Sequence, residues 1–431
     1  MDVCTAFLGV DLEEEVYMNP PEGYFRLVKA VLGTGYQAGQ ATSSGLVRQV
    51  LRLHKSLYGL KQSPHVWYGA FWAFMRGIGF VGSRVDGGIF ILHGDGGLVK
   101  AVVVLYVDDL LVIADLALLK RIKASLHARF QMHDLGEVSF YLGMAIERNR
   151  HQRTVSVYQH AYIRAVLERF GMAEAKAAST PLSERHHKRR PNEERCDQSL
   201  YQSMIGSLMF AMAGTRPDLA YAIGVLSRYN HEPSEVHMEA LKRVFRYLNG
   251  TRDWTLSFGG TDGRIKAYAD SDYAGDPDDS KSTAGLCVVF GGVIDWRSKK
   301  QKSAAQSTTD AEYYAFGIGC MRMTQIIHLL LEFGIGNANG KPIMFTNSKS
   351  MLESVKARIY RGTAVAHIAT KYHLAADMVR DGEIELEYVP SDGMLADGFT
   401  KALRKPAFRR LCWLMGLRGK GLESLDSGAG K

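Results

Sequence analysis

The chain has 431 residues, 46% hydrophobic and 23% charged, with 44 glycines. That is the balance of a folded globular protein and excludes a wholly disordered or collagen-like chain. At roughly 150 residues per domain the length predicts about three domains, each able to bury a core without disulfide staples. Lys plus Arg number 53 against 45 Asp plus Glu, a surplus that suits a polyanionic partner without requiring one.

MDVCTAFL, at the start, is apolar and β-prone and predicts a strand. An acidic patch (Asp11, Glu13 to Glu15) and the breaker NPPEGY follow. Residues 31–50 are rich in Gly, Ser, Thr and Gln with no clear period and read as a loop or insertion. After SLYGLKQSP, Trp67, Phe71 and Phe74 recur at helical spacing. Residues 99–114 (VKAVVVLYVDDLLVIA) are the strongest strand signal, two β-branched runs around one acidic pair. They predict a hairpin with Asp108-Asp109 at its tip. LALLKRIKASLHARF predicts an amphipathic helix, FYLGMAIERNR and RTVSVYQ a strand pair, and Ile163, Val166, Leu167 and Phe170 one apolar helical face.

Residues 183–198 are basic, then acidic, and read as a charged connector. Residues 201–250 are expected to be helical, with Met238, Leu241, Phe245 and Leu248 on one stripe and Lys242, Arg243 and Arg246 opposite. Strands WTLSFGG, IKAYAD, AGLCVVFGG and VIDWRSK come next. A helix from about Thr309 to Phe333, strand PIMFTN, a helix, strand IELEYVP and a last helix near 395–415 complete a mixed α/β domain.

The five cysteines (Cys4, Cys196, Cys287, Cys320, Cys412) are scattered, which predicts free thiols rather than a disulfide or zinc framework. The start has no basic n-region, so no signal peptide is expected. The most apolar run, Ala101 to Ala114, is broken by two aspartates, and no segment is expected to reach the roughly 18 apolar residues of a membrane span.

Adjacent carboxylates between apolar strands are costly unless their charge is compensated. Two readings of Asp108-Asp109 stand side by side: a solvated acidic turn, or a pair that holds divalent metal for nucleotidyl transfer, where carboxylates hold two ions about 3.5–4 Å apart. A third carboxylate is expected from a neighbouring strand. Asp2 is the available one, with an ordinary terminal aspartate as the plain alternative.

Ten motifs occur in one order: MDVxTAFLxxDLEEEVYMxxPEGY, KSLYGLKQSPxxWY, YVDDLLV, YLGM, STPL, YxSxIGSLMFxxxxTRPDLAYAxxxLSRY, LKRVxRYLxGT, ADSDYAGDxxDxKSTAG, WxSKKQxxxAxSTTxAEY and LADGFTKAL. Together they resemble the reverse transcriptase and ribonuclease H region of the Pol polyprotein of copia-type LTR retrotransposons, over nearly the whole chain except about 30–50 and 183–198.

The resemblance implies an α+β fold: a polymerase palm and thumb with a helical connection, then a ribonuclease H-like mixed α/β domain. Its parts would be a palm (1–150), a thumb-like region (151–182), a charged linker (183–200), a connection (201–252), the ribonuclease H-like domain (253–415) and a flexible tail (416–431). It implies an RNA-directed DNA polymerase. Asp2, Asp108 and Asp109 match the metal ligands, and Tyr106 matches the residue under the primer end. Lys61, Gln62 and Ser63 match the nucleotide and template pocket, and Tyr141 and Gly143 the primer-grip hairpin.

In the nuclease part Asp270, Glu312 and Asp397 match three of the four metal-holding carboxylates, and Asn347 stands where the remaining acid is expected. An amide coordinates Mg²⁺ weakly, so impaired hybrid cleavage is expected. By resemblance each active site takes two Mg²⁺, with Mn²⁺ as a substitute. The implied partners are an RNA template, an RNA–DNA hybrid, a DNA primer and dNTPs, with no membrane. The implied locations are a cytoplasmic particle and the nucleus.

Other departures are Cys4 for the usual Lys, Gly9-Val10 for the usual Asn-Gly, and Ala369 after His367-Ile368 for the usual acid. The family's fingers region precedes the strand of Asp2, and the sequence as read starts at that strand. A truncated, degenerate copy is therefore expected. The alternatives are a non-catalytic nucleic-acid-binding remnant or a fossil reading frame.

Overall fold

A computed structural model describes residues 1–32, 50–183, 193–260, 263–336, 340–356 and 370–422. The expected loop at 31–50, most of the charged linker and the His367–Ala369 stretch lie outside the described residues. The chain divides into two compact units: Met1–Glu137 with Glu332–Gly334, and Val138–Leu331 with Ile335–Lys431.

The first unit contains β1 (Asp2–Val3), β2 (Asp11–Met18), α1 (Tyr24–Leu32), β3 (Leu51–Lys55), α2 (Ser63–Gly77), β4 (Val81–Gly82) and β5 (Ile89–His93). It continues with β6 (Val99–Tyr106), β7 (Asp109–Ala114), α3 (Leu116–Arg129) and β8 (Met132–His133). Six strands form one sheet in the order β4-β5-β6-β7-β1-β8, and β2 pairs with β3. The helix expected after SLYGLKQSP is α2, which buries Trp67, Phe71 and Met75. The Trp67 ring meets Phe130, and the Phe71 ring meets Phe90 and Phe130. In α3 the Asp115 carboxylate caps the start by accepting from the Leu118 N–H at 2.9 Å.

MDVCTAFL is not one strand. Thr5 is left-handed at φ 51°, and Ala6–Gly9 form a 3-10 turn that buries Ala6 and Phe7. Burying those two side chains wins over strand propensity after Val3. The acidic stretch belongs to β2, where Glu15 pairs with Arg52 on β3.

The second unit begins with β9 (Phe140–Tyr141), β10 (Met144–Asn149), β11 (Thr154–Tyr158) and α4 (His160–Arg169). Helices α5 (Gln198–Gly214), α6 (Ala220–Leu226) and α7 (Glu235–Gly250) and strand β12 (Thr255–Phe258) follow. Next come β13 (Lys266–Ser271), β14 (Thr283–Val289), β15 (Val293–Lys300), α8 (Thr308–Glu332), β16 (Ile343–Thr346) and α9 (Lys349–Lys356). The last elements are α10 (Thr370–Arg380), β17 (Glu385–Tyr388), α11 (Lys405–Leu414) and β18 (Leu417–Arg418).

One sheet runs β15-β14-β13-β16-β17, antiparallel across β15, β14 and β13 and parallel through β16 and β17. A second runs β18-β12-β11-β10-β9. The α+β class is as expected, but several segments are placed differently. Residues 138–158, expected in and beside the first domain, build the second unit. WTLSFGG supplies β12, which pairs with β11 and β18 and leaves the sheet β15-β14-β13-β16-β17 to start at β13. Residues 416–422 are not a flexible tail, because Leu417 and Leu422 are buried and β18 closes a sheet edge. The last helix splits into a 3-10 turn (Leu395–Phe399) and α11, which opens with Pro406 in its first turn. Helix α5 starts inside the expected linker, with the Asp197 carboxylate accepting from the Leu200 N–H at 3.0 Å.

The apolar stripe of α7 is buried as expected. Its opposite face is less free than the sequence implies: Arg243 donates to Thr180 Oγ1 at 2.9 Å and Lys242 pairs with Glu239. The TRPDLAY motif builds a buried ionic knot. Arg216 donates from Nε and Nη2 to the two Asp218 oxygens at 2.9 and 2.7 Å. It also donates to the Thr251 carbonyl and hydroxyl at 3.0 and 2.6 Å. Tyr247 Oη donates to Asp218 Oδ2 at 2.5 Å. Both charged side chains are fully buried.

Helix α8 is long and apolar enough to cross a membrane by length and composition alone, which the sequence reading missed. Here Tyr313, Phe316, Cys320 and Met323 are buried in the core of the second unit, while the end of the helix is more open, with Leu331 48% exposed. All five cysteines are free, and Cys287, Cys320 and Cys412 are buried.

Candidate active sites

The first site grows from the hairpin β6–β7. Pairing runs from Ala101↔Ala114 to Tyr106↔Asp109, so the two turn residues are Val107 and Asp108, one position earlier than expected. That register keeps Val103, Leu105 and Leu110 buried. It requires φ 55° at Val107, a left-handed conformation that costs a β-branched residue about 1–3 kcal/mol and persists only when the surroundings enforce it. The enforcing contact is the indole of Trp67, which donates to the Val107 carbonyl at 2.8 Å.

Strand β1 delivers the third carboxylate. Asp2 is the register partner of Asp109, Val3 N donates to Asp108 O at 2.9 Å, and Leu110 N donates to Met1 O at 2.8 Å. Asp2, Asp108 and Asp109 therefore share one end of the sheet, each half-buried. Tyr106 stands beside them, 59% exposed. Tyr58, which sequence reasoning did not single out, donates its hydroxyl to Asp108 Oδ2 at 2.8 Å, and its ring meets Phe7 edge-on. Slight burial, then the bond to the Asp108 carboxylate, raises the Tyr58 pKa.

The remaining expected residues divide. Lys61 is exposed. Gln62 donates to Glu14 Oε2 at 3.3 Å. Ser63 is fully buried with its hydroxyl on the Leu57 carbonyl at 2.6 Å, so it shapes the turn into α2 and cannot line a pocket. Tyr141 and Gly143 belong to the second unit. Leu142 and Gly143 form a two-residue hairpin turn with φ 49° and 80°, the mirror-image geometry that favours glycine. A Cβ at Gly143 would also lie 2.7 Å from the Phe210 ring, so turn geometry and packing together account for this glycine.

The second site lies on the β13 sheet. Asp270 is on β13 and 3% exposed. Glu312 is in the second turn of α8, whose start is fixed by the Ser307 hydroxyl accepting from Asp310 N at 3.1 Å and by the Asp310 carboxylate accepting from Gln306 N at 2.8 Å. Asn347 follows β16. Asp397 rides on the 3-10 turn 395–399, not on a helix start. That turn seats on β14 because residue 285 is glycine: a Cβ there would lie 2.6 Å from Thr400 Cγ2 and 2.8 Å from the Ala396 carbonyl.

The structure brings Asp270, Glu312, Asn347 and Asp397 together. Asp270 Oδ1 accepts from Asn347 Nδ2 at 3.2 Å and Oδ2 from Thr400 Oγ1 at 2.5 Å. Lys401 Nζ lies 2.9 Å from Asp397 Oδ1. Burial, with the charge of Asp270 second, pushes Glu312 up to about 9 and Asp397 up to about 6. Burial alone would lower the Lys401 pKa, but the Asp270 and Asp397 carboxylates outweigh it and raise it. Lys401 and Thr400 are site residues that sequence reasoning missed, although both stand in the LADGFTKAL motif.

Do these residues fit divalent metal? Among the described residues, no group of three or more His, Cys, Asp or Glu side chains is placed to hold an ion by itself. Yet Asp108 Oδ1 and Glu312 Oε2 are buried carboxylate oxygens with no hydrogen-bond partner. Mg²⁺ is a hard cation that keeps waters and takes one or two carboxylates plus substrate phosphates. The donor sets fit that pattern of binding.

Residues 1–184 match the family model described as "Reverse transcriptase (RNA-dependent DNA polymerase)". A putative transposon Ty5-1 protein of Saccharomyces cerevisiae is 30% identical over 73% of this chain and 97% of its own length. The chain belongs to the reverse transcriptase family of retrotransposon Pol polyproteins. The retrovirus-related Pol polyprotein from transposon TNT 1-94 of Nicotiana tabacum is 37% identical over 97% of this chain, and that alignment covers 30% of the polyprotein. The chain thus spans under a third of that relative. A foamy viral protease-reverse transcriptase in complex with dsDNA aligns over 91% of this chain and 71% of its own at 11% identity, TM-score 0.43.

Proposed function

We propose that the chain is an RNA-directed DNA polymerase with a ribonuclease H-like module, acting on an RNA template, a DNA primer, dNTPs and the resulting RNA–DNA hybrid. The observation that carries the polymerase half is the convergence of Asp2, Asp108 and Asp109, with Asp108 Oδ1 buried and unanswered. These three carboxylates would hold Mg²⁺, which when bound activates a primer 3′-hydroxyl and steadies the leaving group. The chain's own contribution is positional. The β1–β7 register fixes Asp2 against Asp109, Trp67 clamps the turn, and Tyr58 occupies one Asp108 oxygen and leaves the other free.

In the second unit Asp270, Glu312 and Asp397 would hold metal for hybrid cleavage. We propose that this half is weakened, because Asn347 is neutral and its amide occupies Asp270 Oδ1. The test is primer extension on an RNA template with Mg²⁺, run beside Asp108→Asn. Extension lost in the variant supports the reading. Extension that survives the substitution, or that fails in a folded wild-type chain, refutes it.

A further inference from the structure

We propose that Lys401 is the resident counter-ion of the second acidic cluster, and that a divalent cation enters only by displacing its ammonium group. The inference rests on the reading of that cluster as a metal-holding site.

Two consecutive residues after the 3-10 turn each serve one carboxylate. Thr400 donates to Asp270 Oδ2, and Lys401 Nζ sits 2.9 Å from Asp397 Oδ1. Asn347 donates to the other Asp270 oxygen. The oxygens of Asp270 that a cation would need are thus already engaged by donors from the chain itself, and Asp397 has a cation beside it.

The pair is asymmetric. The Asp397 side chain is 9% exposed and fixed in the fold, whereas the Lys401 side chain is 47% exposed. A compact ammonium on a flexible four-carbon stem can withdraw toward solvent without disturbing the backbone. A positive charge at ion-pair distance opposes the arrival of a second one on the same carboxylates. The arrangement therefore holds the cluster together before metal arrives, and makes metal binding weaker than the carboxylate count implies.

The test titrates Mn²⁺ into the full chain carrying Asp108→Asn with Asp109→Asn, which removes two of the three carboxylates of the first cluster, followed by calorimetry and by the paramagnetic signal of bound Mn²⁺. Adding Lys401→Gln is expected to tighten binding at the second site about tenfold or more. The same variant is expected to melt at a lower temperature without metal and to recover with Mn²⁺. Lys401→Arg, which keeps the charge, is expected to retain the weak affinity. Unchanged or weaker Mn²⁺ binding in Lys401→Gln, with measurable binding in the parent, overturns the counter-ion assignment and leaves the metal site standing. No binding at the second unit in any variant, Asn347→Asp included, overturns the metal site itself and the counter-ion assignment with it.

Discussion

Replacing Arg216 with Met tests the buried knot that ties the start of α6 to the end of α7. The guanidinium makes four hydrogen bonds, two to Asp218 and two to Thr251, with neither charged side chain exposed. Met fills most of the volume but leaves the Asp218 carboxylate buried with only the Tyr247 hydroxyl against it. Removing one partner of such a pair costs about 3–5 kcal/mol, because an uncompensated charge stays inside. Removing both charges, as in Arg216→Met with Asp218→Leu, leaves no buried ion. The remaining cost is the orphaned Tyr247 hydroxyl and Thr251 groups, about 1–3 kcal/mol. The double variant should therefore be more stable than the single one. Urea unfolding followed by tryptophan fluorescence reads both, since Trp254 lies against the same guanidinium. A single-variant loss under about 1 kcal/mol, or a double variant less stable than the single, would refute the assignment of the knot as a matched charge pair.

Tyr58→Phe removes the bond to Asp108 from a half-exposed ring. Primer extension should slow about tenfold while stability changes by under about 0.5 kcal/mol, as for other surface substitutions; a large shift in melting would show that the hydroxyl is structural. Asn347→Asp should raise hybrid cleavage by freeing Asp270 Oδ1 and restoring a charge, and no gain would place the defect elsewhere. The Glu312 pKa is raised to about 9 in the fold from an ordinary 4.5. Its contribution is thus fully present below about pH 4.5 and lost as pH rises through 9. The metal-free chain should therefore melt at progressively lower temperature from pH 5 to 9, and Glu312→Gln should flatten that slope.

Much of the architecture was legible in the sequence because its periodicities are strong. The stripe of α7 buries the side chains expected, α4 buries Ile163, Val166 and Leu167 with Phe170 partly covered, and the run 99–114 forms the expected hairpin with Val103, Leu105 and Leu110 inside. What was misread turned on partners distant in sequence. The hairpin tip shifted by one because the burial pattern and the pairing of Asp109 with Asp2 set the register. WTLSFGG reads as a strand but carries no mark of which sheet it joins. Helix α8 is as long and apolar as a membrane span because a helix covered by a core on one side carries the same composition. The acids that the fold gathers into the two clusters were legible from motif order, whereas the contacts of Tyr58 and Lys401 with them were not. The bond of Tyr58 to Asp108 spans fifty positions. Lys401 reads as an ordinary surface lysine until the fold sets it beside Asp397.

The sheet β18-β12-β11-β10-β9 has a consequence for how the chain is made. Its middle strand waits for a partner about a hundred positions later, and β12 in turn waits for β18 at 417–418. During synthesis these edges stay open while the ribosome delivers the whole of the β13 sheet. Non-local pairing of this kind is slow to form, and open edges recruit other chains meanwhile. The second unit should therefore be most prone to misassembly in ribosome-bound intermediates, and a stalled ribosome short of residue 417 should hold it unfinished.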